Sequence, residues 1–391
     1  KSLSKMGHRV ILLAWDRTAR GEETVTTDWG TIWKYQEKCS LNNPLNFARK
    51  LPGFLRWSTW QILAFQRIEK DIILHYHDLD TLIGGVFTSK IGEMPLVYDC
   101  HENYPGLVKG AISERGATIL HKLEAYLLNY CSGVMAAGPA GYVRLSDMLE
   151  IGAKAPFNAN EEEAFKVLSK PQSDFLNSRV TRVGNAKRLD AYPINRIEKK
   201  KDKGKFRLLY IGVLEKHPSR GILQTVITIN KMKGIQFDIG GFGTLVPTLK
   251  KVCDKMTNVN YIGSVHPDNV PLQTIESDAV LMALDPKNDN NRMSAPNKLF
   301  EAMSAGVPII TCKELLMGRF VDDEEIGLTF EWGKWNRLKA SLMKLIYDKE
   351  LRQRLGNRGR KLAEKTHNWE KCEERIESLY HYVKNKSTLQ A

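Results

Sequence analysis

Short hydrophobic segments rich in β-branched residues alternate along the chain with longer segments of helical periodicity. Such short runs are typical of buried strands, whereas the segments between them repeat apolar residues every three or four positions. Strands that alternate with helices indicate parallel sheets covered by helices on both faces. The predicted strands span 8–15, 71–77, 95–101, 133–138, 206–214, 235–241, 259–265, 279–285 and 307–312.

The alternating segments form two series, which are separated by a lysine-rich stretch, IEKKKDKGKFR, at 197–207. A chain of 391 residues is long enough for two domains with separate cores. We therefore predict an α/β protein with a first Rossmann-like domain at 1–185 and a second at 186–368. The segment 369–391 predicts an amphipathic helix, because its apolar residues recur at helical spacing.

The chain opens with KSLSKMGHRVILLAW, which indicates the end of a helix, a stop at Gly7 and then a strand. An α/β domain normally opens with a strand and a turn before its first helix. We therefore expect that the first strand of the first domain is missing. The loop after that strand would lie at the edge of the sheet where α/β proteins bind ligands.

The composition is that of a globular protein, with 42% hydrophobic and 26% charged residues. No hydrophobic run is long enough to span a bilayer, and no signal peptide is recognisable. The six cysteines are scattered without a CxxC pair, which favours a reducing cytosol over a disulfide framework or a cysteine-based zinc site. We expect a cytoplasmic protein, with peripheral attachment to the inner face of the membrane as an open alternative.

The net charge of +13 suits anionic partners such as a phosphorylated substrate or an anionic lipid surface. Most of this charge is spread along the chain, and no sequence signature of RNA or DNA binding is present. We therefore expect no nucleic-acid partner.

The segment SAPNKLFEAMSAGVPIIT at 294–311 combines the start of a helix with three polar side chains on one face. Asn297 and Glu301 are four residues apart, and Lys298 and Glu301 are three apart. The free N–H groups of a helix start, together with Lys298, favour a phosphate, whereas a carboxylate one turn deeper suits sugar hydroxyls. The pattern therefore indicates a nucleotide-sugar pocket, with a surface helix carrying an ordinary ion pair as the alternative.

This segment closely resembles the P-x-K-x-x-E-x-M-x-x-G-x-P signature of the GT4-like glycosyltransferases (glycosyl transferase group 1), which have the GT-B fold. Four further segments resemble elements of that family in the same order: YDCHENYP at 98–105, VGNA at 183–186, LLYIGVLEKHPSRGI at 208–222 and YIGSV at 261–265. The resemblance covers nearly the whole chain. It implies two Rossmann-like domains that face each other across a cleft, with the donor held by the second domain and the last helix crossing back to the first.

The resemblance also implies roles for individual residues. Glu301 would bind the donor ribose, while Lys298 and Arg220 would hold the diphosphate. The backbone N–H groups of Asn297 and Leu299 would face the diphosphate or the donor sugar. Residues implied to bind the nucleotide sugar are Gly212, Arg220, Gly241, Gly243, Ser264, Val265, Asn297, Lys298, Leu299 and Glu301.

His101 ends a predicted strand at the carboxyl edge of its sheet, where α/β proteins form their sites. The resemblance implies that it is an active-site histidine touching the transferred sugar or the leaving phosphate, with a structural histidine as the alternative. We expect Asp99 to support local structure and leave Glu102 open between a supporting and an acceptor-side role. The implied catalytic residues are His101, Arg220, Lys298 and Glu301.

Two positions depart from the family pattern, since Met293 stands where many members carry a second Glu and Val213 where many carry an Arg. Asp78 and Asp80 form an Asp-x-Asp motif, which binds a metal in another glycosyltransferase fold. It lies in the first domain, so we expect a helix N-terminus there and neither a metal site nor any other cofactor.

The resemblance implies a retaining glycosyltransferase of polysaccharide biosynthesis that moves a sugar from a nucleotide-diphosphate sugar to a glycan or lipid-linked acceptor. Two alternatives remain open. A sugar-nucleotide epimerase or hydrolase of the same fold would release nucleoside diphosphate without an acceptor. A catalytically inactive partner subunit would bind the donor and turn nothing over.

Overall fold

The computed structural model describes residues 1–40, 44–108, 112–169, 178–193, 204–215, 220–230 and 232–388. Most of the lysine-rich stretch at 197–207 and part of the loop at 208–222 lie outside these ranges. The strands are β1 (Ile11–Asp16), β2 (Thr24–Thr27), β3 (Gly30–Gln36), β4 (Leu74–His77), β5 (Leu96–Cys100), β6 (Gly133–Ala136), β7 (Val180–Arg182), β8 (Phe206–Ile211), β9 (Ile235–Gly240), β10 (Val259–Gly263), β11 (Ala279–Met282), β12 (Ile309–Cys312) and β13 (Gly327–Phe330).

Helices follow most of these strands. They are α1 (Ser2–Lys5), α2 (Pro44–Gln66), α3 (Asp78–Gly92), α4 (Tyr104–Val108), α5 (Glu114–Leu128), α6 (Pro139–Ile151), α7 (Glu161–Ser169), α8 (Ile222–Ile229), α9 (Val246–Cys253), α10 (Val270–Ile275), α11 (Asp289–Met293), α12 (Asn297–Ala305), α13 (Leu316–Asp323), α14 (Trp335–Tyr347), α15 (Lys349–Lys365) and α16 (Trp369–Thr388).

The second sheet has the strand order β10-β9-β8-β11-β12-β13, and every pairing in it is parallel. Counted from its first strand this is 3-2-1-4-5-6, the order of a doubly wound Rossmann fold. Alternate residues of β11 show why helices cover both faces. Leu281 packs into one buried hydrophobic cluster, whereas Val280 and Met282 pack into the cluster on the opposite face.

The first domain contains two sheets. A four-stranded parallel sheet has the order β4-β5-β6-β7, and a smaller sheet has the order β1-β3-β2 with β2 antiparallel to β3. Residues of β1 and β4 line opposite sides of a groove of about 540 Å³ between the two sheets. The hairpin of β2 and β3 was not predicted from the sequence.

The last helix, α16, packs on the sheet of the first domain. Leu379 and Val383 form a buried cluster with Val97 of β5 and Met135 of β6. Lys384 adds an ion pair with Asp71 of the first domain, at 2.8 Å. The chain therefore returns to its first domain after the second is complete.

The helix α5 buries a charged residue beside its apolar ones. Leu127 and Leu128 are buried, whereas Ile119 and Tyr126 are 64% and 58% exposed. Glu124 is 0% exposed and forms an ion pair with Arg144 of α6 at 2.7 Å. The core of the first domain therefore contains a buried ion pair.

All six cysteines lie within the described residues and are free. Among the described helices, none is long and apolar enough to cross a membrane.

Candidate active site

The site in the second domain lies between the carboxyl ends of β8 and β11, which are neighbours in the sheet. From β8 the chain continues to β9 on one side, and from β11 it continues to β12 on the other. The two connecting segments therefore separate and leave a crevice, which is where open α/β sheets bind ligands. Gly212 and Arg220 follow β8, and the start of α12 follows β11 by way of α11.

Three cations gather in this crevice around one carboxylate. Lys298 lies with its Nζ 4.6 Å from the centre of the Tyr210 ring, and Arg220 hydrogen-bonds to the same tyrosine. Burial lowers the pKa of Lys298 to about 8; the nearby charges of Arg220 and Lys187 add to this effect, and Glu301 opposes it. With three positive groups and one negative group, the crevice is built to receive an anion.

Lys187 was not predicted as a site residue, yet it organises the polar face of α12. Its Nζ donates to Asn297 Oδ1 at 2.6 Å and lies 3.3 Å from Glu301 Oε1. The ion pair is largely shielded, with side-chain exposures of 23% for Lys187 and 16% for Glu301. Lys187 could have been identified as a candidate from the sequence, because it directly follows the VGNA segment at 183–186.

The glycines of the crevice bring chain segments together. A Cβ on Gly212 would lie 2.7 Å from Lys298 Nζ, so this glycine makes room for the lysine. Gly241 has a φ of +136°, and a Cβ there would lie 1.8 Å from the carbonyl oxygen of Gly212. Gly243, with a φ of +141°, faces the carbonyl of Leu214 in the same way. In the structure, Gly241 and Gly243 therefore allow their own backbone to approach the loop after β8 closely.

The remaining predicted donor residues lie at the same edge of the sheet. Ser264 and Val265 follow β10, and the N–H of Gly241 donates to the carbonyl of Gly263 at 2.8 Å, which joins the ends of β9 and β10. The Leu299 side chain is fully buried, and its N–H donates to the carbonyl of Pro296 at 3.1 Å. That N–H is therefore already engaged within the first turn of α12.

In the first domain, His101 lies at the carboxyl end of β5 beside Asp99. His101 Nε2 is 3.1 Å from Asp99 Oδ2, and His75 and His77 of β4 approach the same oxygen at 3.3 and 3.1 Å. Burial alone would raise the pKa of Asp99, but the bonds from His101, His75 and His77 outweigh it and hold that pKa well below its usual value. The bond to Asp99 raises the pKa of His101 to about 9.

The Asp-x-Asp motif lies at the start of α3, as expected from the sequence. Asp78 Oδ1 accepts from the backbone N–H of His101 at 2.9 Å and from that of Glu102 at 3.4 Å. Burial and the neighbouring charge of Asp78 raise the pKa of Glu102. Asp78 therefore fixes the loop that carries His101. Among the described residues, the group with the spacing of metal ligands is His75, His77 and Asp99.

The two halves of the site face each other. The N–H of Ala137, which follows β6, donates to the carbonyl of Cys100 at 3.0 Å, so the ends of β5 and β6 are tied together. A Cβ on the next residue, Gly138, would lie 3.7 Å from the Cβ of Ala295 in the second domain. Asn185 Nδ2 also donates to the Ala295 carbonyl at 2.8 Å. The carboxyl end of β6, which is tied to that of β5, therefore lies close to the segment that leads into α12.

Comparison with known proteins agrees with this geometry. Residues 192–362 match the sequence model of the family described as glycosyl transferases group 1. The matched segment contains the whole second sheet, from β8 to β13. An uncharacterized glycosyltransferase of Methanocaldococcus jannaschii, MJ1178, is 34% identical over 80 residues, which is 20% of this chain and 22% of that protein. The match therefore spans about a fifth of the relative's length.

Solved structures of similar fold cover almost the whole chain. Sucrose-phosphate synthase from Thermosynechococcus elongatus superposes with a TM-score of 0.68 at 14% identity, over 98% of this chain and 91% of that one. Anabaena HepE in complex with UDP-glucose gives a TM-score of 0.59 at 13% identity, over 97% and 99%. A glycosyltransferase from Rickettsia africae gives 0.61 at 11% identity, over 97% and 92%. The chain thus has the GT-B fold.

Proposed function

We propose that this protein is a retaining glycosyltransferase of the GT4 type that transfers a sugar from a nucleotide-diphosphate sugar to a glycan or lipid-linked acceptor. The observation that carries the proposal is the crevice between β8 and β11, where Lys298 lies near Arg220, Lys187 and Glu301, and Lys187 pairs with Glu301. Arg220, Lys298 and Glu301 lie within the segment that matches the glycosyl transferases group 1 model, and the excess of positive charge matches a diphosphate.

The diphosphate would lie against Lys298 and Arg220. When the bond to the sugar breaks, negative charge grows on the leaving phosphate, and fixed cations in a shielded crevice stabilise that charge without reorganisation. Arg220 suits this role because its planar guanidinium can pair with two phosphate oxygens. These cations supply the charge that a metal would otherwise bring, so we propose that the transfer needs no metal at the diphosphate.

Glu301 would accept hydrogen bonds from the ribose hydroxyls, and its pairing with Lys187 holds the carboxylate in place before the nucleotide arrives. His101 approaches from the first domain and would touch the transferred sugar. Attack from the face that the diphosphate leaves would retain the anomeric configuration, and such a route requires no pair of catalytic carboxylates.

The class of acceptor is suggested by relatives of similar fold. WaaG is described as a glycosyltransferase involved in lipopolysaccharide biosynthesis, and it superposes with a TM-score of 0.55 at 11% identity. We propose an acceptor of the same general kind, a glycan or a lipid-linked saccharide, in polysaccharide biosynthesis. The net charge of +13 would favour a cytoplasmic protein that meets such an acceptor at an anionic membrane surface.

A donor screen tests the proposal. Thermal-shift and calorimetric titrations with UDP-, GDP- and ADP-sugars should identify one nucleotide that binds, and turnover with a saccharide acceptor should then persist in EDTA. Release of nucleoside diphosphate at full rate without any acceptor would instead identify an epimerase or hydrolase. Binding without turnover under any condition would identify an inactive partner subunit, the outcome that Met293 in place of a second Glu would favour.

A further inference from the structure

Three imidazole rings converge on a single carboxylate oxygen at the carboxyl edge of the first-domain sheet. His75 Nε2, His77 Nδ1 and His101 Nε2 lie 3.3, 3.1 and 3.1 Å from Asp99 Oδ2. His77 Nδ1 and His101 Nε2 are also 3.3 Å from each other. One carboxylate oxygen offers two lone pairs, so it cannot give three imidazole N–H groups a well-directed hydrogen bond each. His75 and His101 make the hydrogen bonds to this oxygen, and His77 Nδ1 lies 3.1 Å from it as a third nitrogen atom.

Two of the separations between these atoms match those of ligands around a small metal ion. A tetrahedral zinc ion with bonds of about 2.0–2.1 Å holds its ligand atoms roughly 3.3 Å apart. The separations from Asp99 to His75 and His77, 3.3 and 3.1 Å, are close to that value. The ligand atoms of these three residues all lie within 4.8 Å of one another.

The backbone holds these side chains in place without a ligand. His75 and His77 are two residues apart on β4, so both project from the same face, and His77 is paired in register with Asp99 on β5. His75 Nδ1 lies 2.7 Å from the hydroxyl of Tyr380, a contact of the kind that orients a metal-bound imidazole through its second nitrogen. The groove between the two sheets is lined by His75 and His77, so an ion can reach the cluster from solvent.

We propose that His75, His77 and Asp99 bind a divalent transition-metal ion, with Zn²⁺ as the ion that fits best. Two imidazoles and one carboxylate suit zinc or cobalt, whereas magnesium and calcium prefer a full set of oxygen ligands. His101 would be a neighbouring side chain of the bound ion, since its Nε2 lies 3.1 Å from Asp99 Oδ2. This site lies in the first domain, apart from the diphosphate crevice, and it does not depend on the identity of the donor.

Metal titration of the full chain tests the site. After EDTA treatment and removal of the chelator, wild-type protein should bind one Zn²⁺ per chain by calorimetry and retain it in elemental analysis. Co²⁺ should give the strong visible absorption of a tetrahedral complex. His75→Ala and His77→Ala should each weaken binding at least roughly tenfold, because each removes a ligand.

The matched control is His266→Ala. His266 Nδ1 lies 3.5 Å from Asp268 Oδ2 in an exposed pair that can bind metal only adventitiously, so this variant should behave as wild type. His77 is 54% exposed, and a thermal melt of His77→Ala should show that the fold is kept. The proposal is overturned if wild type binds no stoichiometric Zn²⁺, or if folded His77→Ala binds it as tightly as wild type.

Discussion

Lys187 Nζ lies 3.3 Å from Glu301 Oε1, and this ion pair joins the segment after β7 to the first turns of α12. The same ammonium group donates to Asn297 Oδ1 at 2.6 Å. The polar face of α12 is therefore organised from outside its own helix. A carboxylate that is already oriented loses less entropy when it accepts hydrogen bonds from a ligand, which is the advantage of preorganisation.

Replacing Glu301 by Ala should weaken the binding of the nucleoside diphosphate. The ribose hydroxyls would lose a charged acceptor, at a cost of about 1.5–3 kcal/mol or roughly ten- to 150-fold in affinity. Calorimetry with the nucleotide identified in the donor screen measures this loss.

Inorganic pyrophosphate provides the control for Glu301→Ala, since it has no ribose. Its affinity should stay the same or rise, because the substitution removes a negative charge from the crevice. An equal loss for pyrophosphate and nucleotide would show that Glu301 acts through Lys187 and Lys298, without contacting the ribose.

Nucleotide affinity should fall as the pH rises above 8. The pKa of Lys298 is lowered to about 8, so its ammonium group is charged at pH 7 and loses its proton through the range 8–9. The diphosphate then loses a cationic partner, and its dissociation constant should rise by up to about tenfold per pH unit. Lys298→Arg stays charged throughout this range, so its affinity should be flat from pH 7 to 9. The same pH dependence in both proteins would assign the effect to another group.

Most of the parallel framework could be predicted because buried strands leave continuous apolar runs. Each predicted strand is present, although several are shorter, such as Leu74–His77 within 71–77. Four strands, β2, β3, β7 and β13, were not predicted, and two of them show why. Thr24–Thr27 is dominated by threonine and belongs to the small sheet, and Val180–Arg182 has only three residues. Hydrophobicity alone gives little indication of such elements.

The polar face of α12 could be predicted from its helical spacing, but its partner Lys187 could not. Lys187 and Asn297 are 110 residues apart, and no local pattern links them. The histidines around Asp99 were missed for the same reason, because only the pairing of β4 with β5 brings His75 and His77 to that carboxylate. Sequence spacing predicts contacts within one helix or strand, whereas contacts between elements depend on the register of the sheet.

Gly212→Ala should mainly lower nucleotide affinity, whereas Gly241→Ala should mainly lower the stability of the protein. A methyl group on Gly212 meets the mobile end of Lys298, at 2.7 Å, so the lysine must move and nucleotide affinity should fall with little change in the melting temperature. A methyl group on Gly241 meets the carbonyl of Gly212 at 1.8 Å, in a backbone conformation that disfavours alanine. That variant should lose more than about 2 kcal/mol of stability. Wild-type affinity in Gly212→Ala would contradict the assignment of Lys298 to the site.

Glu124→Ala should strongly destabilise the first domain. Arg144 is 2% exposed, and without Glu124 its charge would be left buried and unpaired, at a cost of about 3–5 kcal/mol. Urea unfolding measures the loss. The exposed pair of Glu163 and Lys166 on α7 is the control, since Glu163→Ala should cost at most about 1 kcal/mol. Similar losses in the two variants would mean that burial does not increase the contribution of the Glu124–Arg144 pair to the free energy of unfolding.

Arg220→Ala and His101→Ala should have different kinetic effects, because Arg220 follows β8 of the second sheet whereas His101 follows β5 of the first-domain sheet. Arg220 would contact the diphosphate both before and during bond cleavage, so its loss should lower nucleotide affinity and turnover together. His101 would face the transferred sugar from the first domain, so its loss should lower kcat and leave the dissociation constant of the nucleoside diphosphate nearly unchanged. Calorimetry and steady-state kinetics on the same preparations distinguish the two patterns. If His101→Ala instead lowers the melting temperature and leaves kcat intact in the folded fraction, the histidine is structural, and the side-chain contact of its Nε2 with Asp99 Oδ2 would be the one that matters.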